Sequence, residues 1–220
     1  MADHVRLNAL LARRVGISRR EADRQIEAGA VTVNGHVARL GEQVKPGDGI
    51  FFNHQPVPDS PKTTTILFHK PVGYVSSRKQ QGDDPTIFKL LPAKYHDLKP
   101  AGRLDKDSSG LMILSNDGQL IYRLTHPSFE KEKVYQISLI KELSPHNKAL
   151  IETGVQLDDG PSKLQLDGEG KDWTVRMHEG RNRQIRRTFE AVDNKVVRLH
   201  RTQLGSHRLG RLAPGKFEQV

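Results

Sequence analysis

Four consecutive large apolar residues, Leu111-Met112-Ile113-Leu114, lie between two clusters of turn-forming residues. Upstream are Gly102-Arg103-Leu104-Asp105 and Ser108-Ser109-Gly110; downstream is Asn116-Asp117-Gly118. A short apolar run bounded by turn signals on both sides reads as a buried strand. The residues that close it tolerate turn geometry. The chain must therefore build a sheet around this segment. A short carboxylate side chain next to a rigid strand has a fixed position, which chemistry requires, and Asp105 is that carboxylate. On this stretch alone, an Asp that caps a turn is the competing reading.

Ahead of it, Val5, Leu7, Leu10, Leu11 and Val15 follow helical spacing up to Gly16. Ser18-Arg19-Arg20-Glu21 has the form of a capping box, in which Ser18 accepts from the Glu21 amide and the Glu21 side chain reaches back. The second helix runs to Ala28, with Gly29 as its left-handed stop. Ala22 and Ile26 form its inner edge and Arg19, Arg20, Asp23 and Arg24 its outer one. Val31-Thr32-Val33, Asn34-Gly35 and His36-Val37-Ala38 spell a hairpin with a type I′ turn, and Ile50-Phe51-Phe52 a further strand. Residues 53–65 are polar, contain Pro56, Pro58 and Pro61, and read as a semi-extended linker.

Beyond the linker the pattern is α+β, with short, hairpin-like strands that predict a mainly antiparallel sheet. Strands are expected at 66–68, 73–76, 131–140, 155–157, 163–166 and 173–177. Helices are expected after Asp84-Pro85, over 119–125 and after Ser144-Pro145, the last ended by Gly154. In the strand at 131–140, Tyr135, Ile137 and Leu139 share one face, opposite Val134 and Ile140. In the segment Arg181 to Val192, Ile185, Phe189 and Val192 fall within a narrow helical arc, with Arg183, Arg186, Arg187 and Glu190 opposite. Such a guanidinium row suits a phosphate backbone or a buried carboxylate.

Charge narrows the class of partner. The formal net charge is +9, of which residues 1–60 contribute only +1, with 8 basic and 7 acidic side chains. Between Arg176 and Lys216 there are 11 basic and 3 acidic residues. A cluster of this kind is a candidate phosphate track. There is no Cys, which excludes disulfides, thiolate chemistry, Cys-based zinc sites and the zinc nucleobase deaminases. No run of 18 apolar residues and no apolar stretch near Met1 occurs, so no membrane span or secretory signal is expected and a cytoplasmic location is.

Arg6-Leu7-Asn8, Ser18 through Ala22 and Gly29 through Gly35 closely resemble the alpha-L module, the S-four-type RNA-binding domain named after a small-subunit ribosomal protein. That resemblance implies binding of structured RNA through Arg6, Arg19, Arg20 and Arg24. Three later segments complete a second resemblance: Gly102-Arg103-Leu104-Asp105, Tyr135 within Glu132-Lys133-Val134-Tyr135, and Gly180 through Arg187. With the Ser-Asn-Asp-Gly turn, and in this order, they are similar to the RsuA family of pseudouridine synthases, the ribosomal-RNA branch with an alpha-L module in front. The organisation implied is an RNA-binding domain over 1–52, a linker over 53–65 and a mixed, mainly antiparallel catalytic domain over 66–220.

Carried over by position, Asp105 matches the catalytic aspartate, Tyr135 the tyrosine that stacks on the target base, Arg186 the arginine that pairs with the aspartate, and Arg103 the arginine near it in the motif. Arg181, Arg183 and Arg187 are the further candidates for RNA contact. Ser108 stands where threonine is common, Thr188 where methionine is, and Asp193 where glycine is usual, a left-handed position that Asp adopts at a cost.

The activity implied is isomerisation of uridine to pseudouridine in structured ribosomal RNA, by a monomer with no metal and no cofactor. Gly154 to Gly160 resembles the large-subunit branch slightly more. The isomerisation breaks the bond from N1 to C1′, turns the uracil and rejoins it through C5, with no net redox change or group transfer. The carboxylate acts on the ribose, either by attacking C1′ or by taking the C2′ proton. A uridine in structured RNA must be flipped out, at about a few kcal/mol, and an aromatic ring recovers roughly 1–3 kcal/mol. A non-catalytic RNA-binding or ribosome-assembly protein is the alternative class. A glycosidase would want two carboxylates.

Overall fold

The computed structural model describes residues 4–58, 63–78 and 82–220, and its chain divides into two units, Met1–Thr63 and Thr64–Val220. In the first unit β1 (Val5–Arg6) leads into α1 (Leu7–Arg14), followed by α2 (Arg19–Glu27). Val5 is not a helical residue, contrary to the spacing: β1 pairs antiparallel with β4 (Gln43–Val44), and Val5 is exposed. Ser18 caps α2 by accepting from the Glu21 amide at 3.0 Å. The reciprocal half of the box is absent, because the Glu21 carboxylate accepts from Arg24 and Gln25 instead. Charged and amide donors within one turn of helix outcompete the Ser18 backbone for it.

Asn34 and Gly35 both have positive φ (49° and 86°), as a type I′ turn between β2 (Val31–Val33) and β3 (His36–Val37) requires. Asn34 Oδ1 accepts from the Gly49 amide at 2.8 Å, which fastens the hairpin to the strand paired with β2, β5 (Ile50–Phe52). Leu7, Leu11, Ala22, Ile26, Val31, Val33 and Ile50 form the core of this unit. The expected linker is in part structured here: β6 (Gln55–Pro56) pairs with β5, and Val57 packs on the core. Pro61 lies outside the described residues.

The second unit holds a sheet ordered β13-β14-β10-β15-β9-β7-β17. Its strands are β7 (Thr65–Lys70), β9 (Ser109–Ser115), β10 (Lys133–Leu139), β13 (Gln165–Glu169), β14 (Asp172–Met177), β15 (Val196–Leu204) and β17 (Phe217–Gln219), with β8 (Lys99–Pro100) and β16 (His207–Arg208) attached at β9 and β15. Pairing in this sheet is antiparallel except between β15 and β9. Leu111 and Ile113 face one buried cluster and Met112 and Leu114 another. A strand covered on both faces needs an unbroken apolar run, which is what the sequence supplies. The parallel pairing brings Gly110 against Arg201 so closely that a Cβ there would stand 2.2 Å from the Arg201 carbonyl oxygen. Only glycine fits.

Helix α3 (Gly118–Thr125) is capped by Asp117, which accepts from the Gln119 and Leu120 amides, and α4 (Pro145–Thr153) by Ser144. Between Phe68 and Leu104 the prediction needs correction. Residues 73–76 make a single bridge, Val75 with Thr86, and not a strand. The helix after Asp84-Pro85 is a 3₁₀ turn over Ile87–Leu90 with Thr86 before it. The strand expected at 163–166 starts at Gln165, and Gly160–Ser162 (β12) pairs instead with Val155–Leu157 (β11). The longest strand, β15, was not predicted, because its buried Val196, Leu199, Arg201 and Leu204 interleave with polar residues and follow no single period.

Candidate active site

Asp105 lies in the loop between β8 and β9, and three anchors hold that loop. Ser76 Oγ donates to the Leu104 carbonyl at 2.6 Å and accepts from the Leu104 amide at 3.1 Å. The Gly73 amide donates to the Lys106 carbonyl. Lys70, wholly buried at the end of β7, donates to the carbonyls of Asp105 (2.9 Å), Ser108 (2.6 Å) and Pro71 (3.1 Å). Burial pulls the Lys70 ammonium down to about 8, a fall that Asp107 and Asp105 oppose and Arg201 reinforces. Three carbonyl acceptors satisfy all three N–H groups of the ammonium, so burial is tolerated. Sequence reasoning passed over Lys70, which lies beyond the strand expected at 66–68, whereas β7 runs on to include it.

Asp105 lines a cavity of about 590 Å³ whose wall also includes Arg103, Tyr135, Met177, Arg183, Leu199 and Arg201. Tyr135 is buried, placed on β10 opposite Arg201 of β15 and Val175 of β14. Arg103 is exposed on the same wall. Apolar walls with a few convergent polar groups are what a small-molecule moiety such as a single base needs. Arg201 was also missed. It is 2% exposed, donates Nε to the Leu111 carbonyl at 2.8 Å, and its buried Nη2 has no protein partner among the described residues.

The structure corrects the expected partner of Asp105. Arg183, not Arg186, lies within ion-pair distance of it, at 3.5 Å. The same guanidinium forks onto both oxygens of Asp107 at 3.3 Å. Burial opposes ionisation of Asp107, but the Arg183 hydrogen bond and the charges of Arg186 and Arg183 outweigh it and hold its carboxyl below the ordinary range. Arg186 reaches a different set: the Val196 carbonyl (2.6 Å), the Asp107 carbonyl (3.2 Å) and the Asp107 carboxylate (3.3 Å).

Helix α5 (Gln184–Glu190) is shorter than the periodicity suggested and is packed against both β15 and β11. Two covered sides leave room for one outward stripe, so Gln184, Arg186 and Thr188 are buried with Ile185 and Phe189. Arg183 stands just before the helix in a left-handed conformation, φ +46°, which turns its side chain out of the helical row.

The remaining arginines divide. Arg181 donates to the carbonyls of Asp159, Gly160 and Pro161, and Arg187 forks onto the Asp159 carboxylate at 2.7 and 3.1 Å. These two clamp the tip of the β11–β12 hairpin. In the first unit Arg6, Arg19, Arg20 and Arg24 are all exposed. Arg19 donates to Asn8, which donates to Asp23, tying α1 to α2, and Arg24 pairs with Glu21.

A fixed aspartate at a strand end, an aromatic ring in the pocket wall and a cationic surround meet the needs of an RNA-modifying isomerase. Residues 64–191 match the model of the RNA pseudouridylate synthase family, and residues 5–50 match that of the S4 domain. The chain belongs to the RNA pseudouridylate synthase family, whose reaction is the isomerisation of uridine to pseudouridine. It is 36% identical to the ribosomal small subunit pseudouridine synthase A of Pasteurella multocida (strain Pm70), over 98% of this chain and 96% of that protein. It is 34% identical to the ribosomal large subunit pseudouridine synthase B of Bacillus subtilis (strain 168), over 98% and 91%. A crystal structure of a pseudouridylate synthase superposes with a TM-score of 0.71 at 31% identity, covering 98% of this chain and 96% of that one.

Proposed function

We propose that this protein isomerises a uridine of ribosomal RNA to pseudouridine, with Asp105 as the group that acts on the ribose. The observation that carries this is the placement of Asp105: its backbone is fixed by Lys70 and Ser108, it lines the cavity together with Tyr135, and its carboxylate lies 3.5 Å from Arg183. Positioning of this kind lowers the barrier by removing the cost of orienting the reacting group. Tyr135 supplies the ring against which the flipped uracil stacks, and its hydroxyl is suited to handling the C5 proton. Arg183 orients the carboxylate. Arg186 acts one layer deeper, by tying Asp107 and the end of the Asp105 loop to β15 through Val196.

Arg6, Arg19, Arg20 and Arg24 contact structured RNA in this reading, and the protein acts as a cytoplasmic monomer. Among the described residues no helix is long and apolar enough to cross a membrane. Large-subunit RNA is the substrate favoured by the Gly154–Gly160 hairpin, and full-length relatives carry both subunit names at similar identity. The test is to map pseudouridine across both ribosomal RNAs from cells with and without the protein. One uridine that loses its modification, restored by wild type, supports the assignment and identifies the subunit. Identical maps would leave an RNA-binding protein with a structural Asp105.

A further inference from the structure

The helix that borders the cavity of Asp105 carries an aromatic group for which the isomerisation itself has no use. Helix α3 and the 3₁₀ turn after it, Pro127–Phe129, bring Tyr122, His126 and Phe129 together. The rings of Tyr122 and His126 have centroids 4.7 Å apart, and those of Tyr122 and Phe129 meet edge to face at 5.6 Å. Ring contacts of this kind ordinarily serve a core, yet Tyr122 is 49% and Phe129 39% exposed. Local bonds hold them without burial. Asp117 caps the helix, His126 Nδ1 bonds with Ser128 Oγ at 2.8 Å, and Glu130 ends the turn at φ +43°.

The location supplies the occupant. Leu124, Thr125 and Pro127, interleaved with the three aromatic residues, line the cavity that holds Asp105. Arg123 on the same helix and Arg103 on the cavity wall are exposed cations. An apolar protein partner would not call for cations at the rim, whereas a single-stranded polyanion with flat bases would.

We propose that Tyr122, His126 and Phe129 form a stacking platform for a nucleobase that flanks the target uridine in the RNA strand. The proposal rests on reading the cavity as the uridine site. Flipping one nucleotide leaves its neighbour without a stacking partner. A preformed aromatic surface beside the cavity replaces that partner for any base, because every base has a π-face. The platform therefore contributes affinity and strand direction without reading sequence.

The test uses the full chain with Tyr122→Ala/Phe129→Ala and with Tyr122→Phe. One probe is a fluorescein-labelled dodecameric oligouridylate followed by anisotropy; the other is in vitro-transcribed ribosomal RNA in single-turnover pseudouridine assays. The double variant should bind oligouridylate about tenfold or more weakly, since stacking contributes roughly 1–3 kcal/mol per base. It should need a correspondingly higher enzyme concentration for the half-maximal rate, with the limiting rate within about twofold of wild type. Tyr122→Phe, which keeps the ring, should behave as wild type. Unchanged affinity in both assays would overturn the platform, as would a fall in Tm with affinity intact, or a loss that Tyr122→Phe shares. Were the wild type to form no pseudouridine in either RNA, the reading of the cavity would fall, and the oligouridylate measurement would still decide the platform.

Discussion

Apart from the pairing of β1 with β4, the N-terminal unit is assembled from near neighbours in the chain, and the catalytic unit from distant ones. In the first, Asn8 meets Asp23 and Gly49 meets Asn34, each 15 residues apart, and caps and tight turns do most of the positioning. In the second, Lys70 reaches Ser108 across 38 residues, Arg183 reaches Asp107 across 76, and Arg201 reaches Leu111 across 90. The geometry of the N-terminal unit therefore follows from local preference. That of the active site exists only once the sheet register is set, because loop-closure entropy must be met before these contacts form. A substitution at an exposed arginine of the first unit should remain local. One in the second unit should be felt wherever the register carries it.

The largest effect that sharpens this contrast is loss of chemistry alone. Asp105→Asn keeps the side-chain shape and the backbone anchors to Lys70 and Ser108 but removes the anion. Pseudouridine formation should fall by at least about a thousandfold, within the range that general acid–base and nucleophilic groups contribute. Affinity for RNA should persist, because other side chains carry the phosphate contacts. Single-turnover assays of purified variant and wild type make the measurement, and equal product from both would remove Asp105 from the chemistry.

Next come two arginines three positions apart whose effects should separate. Arg186 has an 8% exposed side chain and holds the Val196 carbonyl, so Arg186→Met strands a buried acceptor and an aspartate. Unfolding in urea should show a loss of about 2–3 kcal/mol, less than for a fully buried pair because Asp107 is half exposed. The Arg183 side chain is 42% exposed, so Arg183→Met should cost less than about 1 kcal/mol in stability. It should nonetheless slow turnover, because Asp105 loses its orienting cation. Similar stability losses in both variants would mean that Arg183, too, belongs to the frame.

This pair also shows where the sequence stops being legible. The strand at Leu111, the Asn34-Gly35 turn, the caps at Ser18 and Ser144 and the position of Asp105 all rest on local chemistry, and the structure places them as read. Position in a motif assigns Arg186 to Asp105. The side that an arginine presents depends on what covers the helix, and here β11 covers a second side of α5. Lys70 and Arg201 are invisible for a related reason: a buried cation is recognised by its acceptors, and those are carbonyls brought in from loops and strands elsewhere. The strand β15 hides because its inward residues include an arginine. The arginines that the S4-domain motif singles out lie exposed on β1 (Arg6) and α2 (Arg19, Arg20 and Arg24).

A smaller effect belongs to the first unit. Combined Arg19→Ala, Arg20→Ala and Arg24→Ala should leave the limiting rate of pseudouridine formation within about twofold of wild type while binding of ribosomal RNA weakens. The slope of log K against log salt should shrink by about 0.7–0.9 for each phosphate that the variant no longer neutralises. Thermal stability should hardly change, since the Arg24–Glu21 pair is at the surface. An unchanged salt slope would mean that the catalytic unit alone engages the RNA backbone, and the functional division between the units would disappear.

The smallest effect lies at Asp193, a residue of the catalytic unit where local chemistry should decide the outcome. Asp193 ends the turn after α5 at φ +55°, a left-handed position where an L side chain is strained and glycine is not. Its carboxylate accepts from Lys141 at 2.7 Å, and that bond, with the Lys141 charge, lowers its pKa. The side chain is 98% exposed, so the ion pair is solvated and contributes little. Asp193→Gly removes both strain and pair, and adds some freedom to the unfolded chain. Strain relief should prevail, raising Tm by roughly 2–4 °C in a protein of this size. Lys141→Met, which removes the pair and keeps the strain, should leave Tm nearly unchanged. A fall in both variants would show that the Lys141–Asp193 pair, which spans 52 residues, fastens the turn after α5 to the end of β10. Even this exposed turn would then belong with the distant contacts that define the catalytic unit.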